Sequence, residues 1–233
     1  MARRAGRGAA LPSAAQLDDY LGVLGHELRT PLTAVRAALG LLEDSAGDRL
    51  RAEERALLAN ARRNSERLTR LVADLQLAAE LRAGTLTLAR EPLDLRGVAE
   101  AAAGAVEVLL RQAGQTLALA LPEALPVAGD AGRLELVLLD VLANAQRHTP
   151  PGTRVTVSGH VADAHAVLTV RDSGPGIPPE QLERIFERGV SGDGGLGLGL
   201  SLARGVAGLH GGRLWAESPP EGGAAFHLAL PRA

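Results

Sequence analysis

Four short clusters hold the side chains with the means to do chemistry. In GHELRTP, the imidazole of His26 is followed at once by the carboxylate of Glu27. A carboxylate that takes the Nδ1 proton raises the nucleophilicity of Nε2, so the pair has the makings of a nucleophile and its base. HELRT begins like a zinc motif, but Thr30 stands where the second histidine ligand would be, so zinc is set aside. In LDVLANAQRHTP, Asp140, Asn144, Arg147 and His148 fall at helical spacings of three and four, and an amide oxygen beside phosphates suits Mg²⁺. VRDSGPGIP puts Asp172 at the end of a β-like run, before Gly174 and Gly176. There a carboxylate can accept an amino hydrogen while glycines let a flat ligand approach the backbone. SGDGGLGLGLSLA sets Gly192, Gly194, Gly195, Gly197 and Gly199 ahead of a helix, where amides and the helix start can hold phosphates. Taken singly, each cluster also has an ordinary reading: a solvated His-Glu pair, a capped helix end, or a glycine turn.

The elements that must carry these groups differ between the two halves. Leu17, Leu21, Leu24, Leu28, Leu32, Val35, Leu39 and Leu42 repeat by threes and fours with one slip at Pro31, which predicts a long helix bent near the proline. Counting from Leu24 and Leu28, the stripe places His26 on the helix flank, facing solvent. A turn is expected at Ser45–Asp48, then a second stripe of Leu57, Ala61, Asn64, Leu68, Leu71, Leu75 and Ala78 running to Gly84. Two such helices joined by a short turn make an antiparallel hairpin. Its apolar seam needs a partner hairpin, so a homodimeric four-helix bundle is predicted.

After Gly84 the runs TLTLA, TLALAL, TRVTVSG, AVLTVRD, GRLWAES and AAFHLAL read as strands, with helices near 93–113, 130–148 and 197–210. This is the grammar of a layered α+β domain. The expected organisation is an N-terminal segment at 1–13, a helical domain at 14–83, a linker at 84–91 and a second domain at 92–233.

Composition narrows the function classes. Lys plus Arg number 25 against 27 acids, a net charge of −2, which removes the electrostatic case for nucleic acid or an anionic membrane. There is no cysteine, hence no disulfide, thiolate metal site or cysteine nucleophile. Every basic residue is arginine, so phosphate contacts must come from guanidinium, amide or metal, and a Walker lysine is excluded. MARRAGRGAALPS lacks the apolar stretch of a signal peptide, and no 18-residue apolar run occurs. The expectation is a cytoplasmic chain, or the cytoplasmic part of a membrane-bound sensor, with no sensory segment ahead of Leu17.

In order and separation the four clusters resemble the catalytic core of a bacterial sensor histidine kinase. GHELRTPL is similar to the phosphoacceptor box, LDVLANAQRHTP to the N box, RDSGPGIP and GLGLGLSLA to the two glycine boxes, and ERIFERG to the phenylalanine box. The resemblance spans residues 14–230. It implies a dimeric four-helix bundle followed by an α/β sandwich that binds ATP, as in gyrase, chaperone and mismatch-repair ATPases. It implies that His26 is phosphorylated, that Glu27 assists, and that Thr30 stands where such kinases position a water for phosphatase action. It also implies Asn144 as the Mg²⁺ ligand, Arg147 as a phosphate contact, His148 near the base and Asp172 as the reader of adenine. Gly174, Gly176, Gly195, Gly197 and Gly199 would frame nucleotide and lid.

Autophosphorylation of His26 from Mg-ATP, with transfer to an aspartate of a response regulator receiver domain, follows as the expected function. The sequence departs from the family pattern at Asp140, where asparagine is common, at His148, where an aromatic is usual, at Leu196, and in a short lid between Phe186 and Gly197. Two alternatives are a degenerate kinase serving as a dimeric receiver-docking module, and an ATPase of the gyrase or chaperone type.

Overall fold

The computed structural model describes residues 14–46, 49–190 and 197–233, with side chains from residue 25 onward except that of His26. The chain divides into two compact units, Met1–Leu86 and Thr87–Ala233.

The first unit is an antiparallel hairpin of α1 (Ala14–Ala46) and α2 (Ala52–Ala83), with Pro31 inside α1. The predicted turn residues Gly47 and Asp48 lie outside the described residues. Arg51 precedes α2, and Glu54 reaches back so that the Arg51 N–H donates to its carboxylate at 2.8 Å, satisfying one of the amides a helix start leaves open. Gly84 ends α2 at φ 66°, and the Thr85 N–H closes onto the Glu80 carbonyl at 3.0 Å, a left-handed helix stop. Arg62 on α2 donates to Glu43 on α1 at 3.1 Å, and the Arg29 guanidinium donates to Gln76 Oε1. Both pairs keep one antiparallel register.

The single hairpin leaves its apolar seam uncovered, as expected of stripes that need a partner hairpin. α2 buries Ser65, Val72, Gln76, Leu77 and Ala79. The predicted stripe instead stays open in the single chain: Leu57 is 70% exposed, Leu68 50%, Leu28 45% and Val35 47%. The two helices meet through one set of residues and leave a second, apolar set facing outward, because an apolar stripe and a mixed polar stripe lie side by side on α2.

In the second unit, β1 (Glu91–Asp94) pairs antiparallel with β3 (Pro126–Gly129). A five-stranded sheet runs in the order β2 (Thr116–Ala120), β4 (Arg154–Ala162), β5 (His165–Asp172), β7 (Ala225–Pro231), β6 (Arg213–Glu217). β2 and β4 are parallel and the other neighbours antiparallel. Helices α3 (Leu95–Gln112), α4 (Ala131–His148) and α5 (Gly199–Leu209) form the second layer. Val98, Ala102, Val106 and Leu110 of α3, Leu134, Val137, Leu138, Val141 and Leu142 of α4, and Leu202 and Val206 of α5 are buried with Val155, Val157, Leu168, Val170, Leu214 and Phe226 of the sheet. With aromatics at 2%, this α/β sandwich is filled by branched aliphatics and alanine, and Phe186 meets Phe226 edge-on at 6.4 Å.

Two expectations for strands need correction. Thr85–Ala89 alternates like a strand but forms none; its only described long-range backbone anchor is the Ala89 N–H, which donates to Asp130 Oδ2 at 3.1 Å. Pro126–Gly129, which no pattern singled out, is β3.

The starts of α3 and α4 are fixed by acids. Asp94 Oδ1 accepts from the N–H of Arg96 at 3.0 Å and of Leu125 at 2.9 Å, and Asp130 Oδ1 accepts from the N–H of Arg133 at 3.1 Å, the N-cap role these residues favour. The Asp130 N–H donates to buried His210 Nε2 at 3.0 Å, so Nδ1 carries the proton shared with the Val206 carbonyl at 2.9 Å. That imidazole ties the start of α4 to the end of α5.

Candidate functional site

In the sandwich, Asn144 and His148 at the end of α4 share one small cleft with Ala145, Thr149, Asp172, Pro175, Gly176, Ile177 and Ala224. Asp172, the last residue of β5, is 5% exposed. Its Oδ1 accepts the N–H of Gly174 at 2.8 Å and of Ala224 at 3.2 Å. Among the described residues no donor is recorded on Oδ2, which leaves an acceptor for a ligand at the cleft wall. The cleft is small, with a free volume of about 30 Å³.

The turn after β5 is held tightly. Gly176 has φ 80°, and a Cβ there would lie 2.5 Å from Ser218 Oγ and 2.9 Å from the Gly223 carbonyl, so both conformation and space demand glycine. Ser218 Oγ accepts the Ile177 N–H at 3.1 Å and donates to the Gly223 carbonyl at 3.1 Å. A Cβ on Gly174 would sit 2.7 Å from Thr149 Cγ2. Thr149 in turn receives Gln115 Nε2 at 2.9 Å and donates to the Ala145 carbonyl at 2.8 Å. Thr149, Gln115 and Ser218 were not anticipated. Thr149 lies inside a quoted motif, whereas Ser218 stands 41 residues from its partner Ile177 and gives no local signal.

The remaining sequence candidates are distributed as follows. Arg147 is exposed, and its Nε donates to the Ala143 carbonyl of its own helix at 3.2 Å; it does not line the cleft. Gly197 lies against the segment before the lid, with its carbonyl accepting the Gly189 N–H at 3.1 Å. Gly199 opens α5, and a Cβ there would approach the Asp140 carboxylate carbon to 3.2 Å. Asp140, one turn before Asn144 on α4, therefore faces the first turn of α5. Gly192, Gly194, Gly195 and Leu196 fall outside the described residues.

In the hairpin, Glu27 and Thr30 are exposed on α1. His26 belongs to the same continuous helix, and the expectation that its ring faces solvent lies outside the described side chains. Among the described residues, no group of three or more His, Cys, Asp or Glu is placed to hold a metal, and no helix is long and apolar enough to cross a membrane.

Comparison with known proteins adds the following. Residues 16–84 match the His Kinase A (phospho-acceptor) domain, and residues 129–233 match the histidine kinase-, DNA gyrase B- and HSP90-like ATPase family. The chain is 35% identical over 226 residues to the adaptive-response sensory kinase SasA of Thermosynechococcus vestitus, covering 92% of this chain and 60% of that kinase. It is 38% identical over 220 residues to the probable sensor histidine kinase TcrY of Mycobacterium tuberculosis, covering 91% of this chain and 45% of TcrY. The chain thus spans about half the length of these curated relatives. Among solved structures, full-length ShkA in complex with AMPPNP superposes with a TM-score of 0.77 at 31% identity, over 93% of this chain and 46% of ShkA. The mycobacterial sensor histidine kinase MprB aligns at 35% identity with a TM-score of 0.56, over 61% of this chain and 97% of the MprB chain.

Proposed function

Because the chain belongs to the sensor histidine kinase family, carrying its phosphoacceptor hairpin and its ATPase sandwich, we propose that it phosphorylates its own His26 from Mg-ATP and passes the phosphoryl group to an aspartate of a separate receiver domain. The observation that carries this reading is the convergence of Asn144, Asp172 and Gly176 on one cleft.

The residues fit a nucleotide and its metal. Asp172 offers Oδ2 to an exocyclic amine while its Oδ1 is held by two backbone amides. Gly176, where any side chain would collide with Ser218, lets the turn after β5 close beside the cleft and keeps the backbone there bare toward a flat base. Half-buried Asn144 supplies the hard amide oxygen that Mg²⁺ prefers, with Asp140 one turn away on the same helix. When bound, Mg-ATP supplies the phosphoryl group with its negative charge screened. The chain lacks lysine, so the remaining phosphate contacts fall to backbone amides and arginine.

At the hairpin, Nε2 of His26 is the nucleophile. The N–P bond forms as the bond from γ-phosphorus to the ADP oxygen breaks, and Glu27 takes or orients the Nδ1 proton. Most of the acceleration comes from bringing nucleophile and phosphorus into line. Thr30, one turn on and exposed, is assigned to positioning water for dephosphorylation of the receiver. The reaction runs in a homodimer, because the outward apolar stripe of Leu28, Val35, Leu57 and Leu68 requires a second hairpin to leave water. The supply of ATP and receiver places the chain in the cytoplasm, alone or as the inner part of a longer sensor.

Incubation with radiolabelled ATP is expected to give an acid-labile, base-stable phosphate that His26→Gln abolishes. Unlabelled wild type, or equal labelling of the variant, overturns the reading. In the degenerate docking alternative, for which the Asp140 carboxylate beside Gly199 is the favouring observation, ATP stays unbound at millimolar concentration. In the gyrase or chaperone alternative, phosphate is released to water and survives loss of His26.

A further inference from the structure

Gln76 is an amide at a position that burial would assign to an aliphatic residue. It lies on the inner face of α2 with Val72 and Ala79 and is 5% exposed. Burying an amide costs free energy unless it is bonded, and here the Arg29 guanidinium on α1 donates to its Oε1, a charge-assisted bond of the stronger kind. One helical turn earlier on α1, Gly25 is buried and faces the same side chain. A Cβ on Gly25 would overlap Gln76 Cγ and lie 2.5 Å from its Cδ and Nε2. Gln76 therefore touches α1 at both ends of the turn Gly25–Arg29, through missing volume at one end and a hydrogen bond at the other. His26 is the next residue after Gly25, on that same turn.

We propose that Gln76 is a positioning residue: it is a knob from α2 that fixes the rotation and height of the α1 turn bearing His26. This rests on the reading of His26 as the phosphoacceptor. A helix turn held only by aliphatic packing can rotate or slide by a fraction of an ångström at little cost. One held by a steric slot and a directional bond cannot do so without breaking both. In-line transfer is sensitive to such displacement, since a misplacement of about 1 Å costs roughly a hundredfold in rate. The absence of a side chain at position 25 and the amide at position 76 are thus two halves of one device.

The test is a double-mutant cycle on the full chain, reading the labelling rate of His26 at saturating ATP, the KM for ATP and the thermal midpoint. Gly25→Ala pushes a methyl group into Gln76 and is expected to lower the maximal rate about tenfold, the size of a coupling between contacting residues, with KM for ATP unchanged. Gln76→Ala removes the obstacle, so Gly25→Ala/Gln76→Ala is expected to label as fast as Gln76→Ala alone. Gln76→Glu keeps the Arg29 partner and is expected to retain more of the wild-type rate than Gln76→Ala. The proposal is overturned if Gly25→Ala costs the same with and without Gln76, if KM for ATP moves with the rate, or if Gln76→Glu labels no faster than Gln76→Ala. An unlabelled wild type defeats the kinase reading instead. The thermal midpoints then still decide the contact, being non-additive if Gln76 fills the Gly25 slot and additive if it does not.

Discussion

Asp172 Oδ1 accepts the Gly174 N–H at 2.8 Å, two residues along the same chain, so the carboxylate that faces the cleft also shapes the turn beside it. One oxygen serves the fold and the other remains for a ligand. Asp172→Asn keeps an acceptor for Gly174 and Ala224 but presents an NH₂ where a base amine needs an oxygen. ATP affinity is expected to fall roughly tenfold to a hundredfold, the range for a hydrogen bond to a charged group, with the melting temperature nearly unchanged. Calorimetric titration and a melt on the same sample check both; unaltered affinity would remove Asp172 from base recognition.

Asp140 brings a carboxylate to the start of α5, close to Gly199, in the region assigned to phosphate. Like charges about 4 Å apart in a wet site repel by about 1 kcal/mol. Asp140→Asn is therefore expected to tighten ATP about fivefold, and more in the absence of Mg²⁺ than in its presence. Weaker binding of Mg-ATP by the variant, with metal-free ATP unaffected, would make the carboxylate a metal ligand.

The outward stripe of the hairpin predicts the assembly. Placing a charge on it, as in Val35→Arg or Leu68→Arg, leaves the inner contacts of α1 and α2 intact and opposes burial against a second copy. Sedimentation velocity is expected to show a dimer for wild type and monomers for the variants, with helical content retained. A dimer that tolerates both charges would place the subunit contact elsewhere.

His227 on β7 gives the sandwich a pH dependence. Burial pushes its pKa below the usual 6.5, with the Glu217 carboxylate at 3.7 Å opposing and His160 and Arg213 adding to the depression. Its Nδ1 shares a hydrogen bond with Thr169 Oγ1 at 2.9 Å, and the ring stacks on Trp215. Below about pH 6.5 the unfolded chain takes up a proton at this position that the folded chain resists. Stability is therefore full above that pH and declines as pH falls toward the lowered value. Urea midpoints at pH 7.5 and 5.5 should differ less in His227→Gln than in wild type; equal differences would exclude this histidine as a source.

Much of the architecture was legible because each half keeps one period. The threes and fours up to Gly84 mark the two helices, and five of the six alternating runs are strands. The sixth, Thr85–Ala89, alternates but meets no neighbouring strand, while Pro126–Gly129 carries no strand pattern yet pairs with β1. Strands are made by partners, which a local pattern does not contain. On α2 the most apolar stripe drew attention away from the face holding Ser65 and Gln76, where shape and hydrogen bonding outweigh hydropathy. At the cleft, Asn144, His148, Asp172 and Gly176 were readable from motif spacing. Arg147 has the right spacing, but its side chain turns back onto its own helix. Ser218 and Gln115 act through contacts distant in sequence.

The Thr85 amide closes the end of α2 and the Ala89 amide is tethered to Asp130, so the free leash between the two anchored ends is Leu86–Leu88. Three residues reach roughly 10 Å at full stretch. With so little slack, any movement of one unit against the other must come from swivelling about a handful of backbone torsions. Lengthening or stiffening this joint would change that freedom without altering a single group of the hairpin or of the cleft.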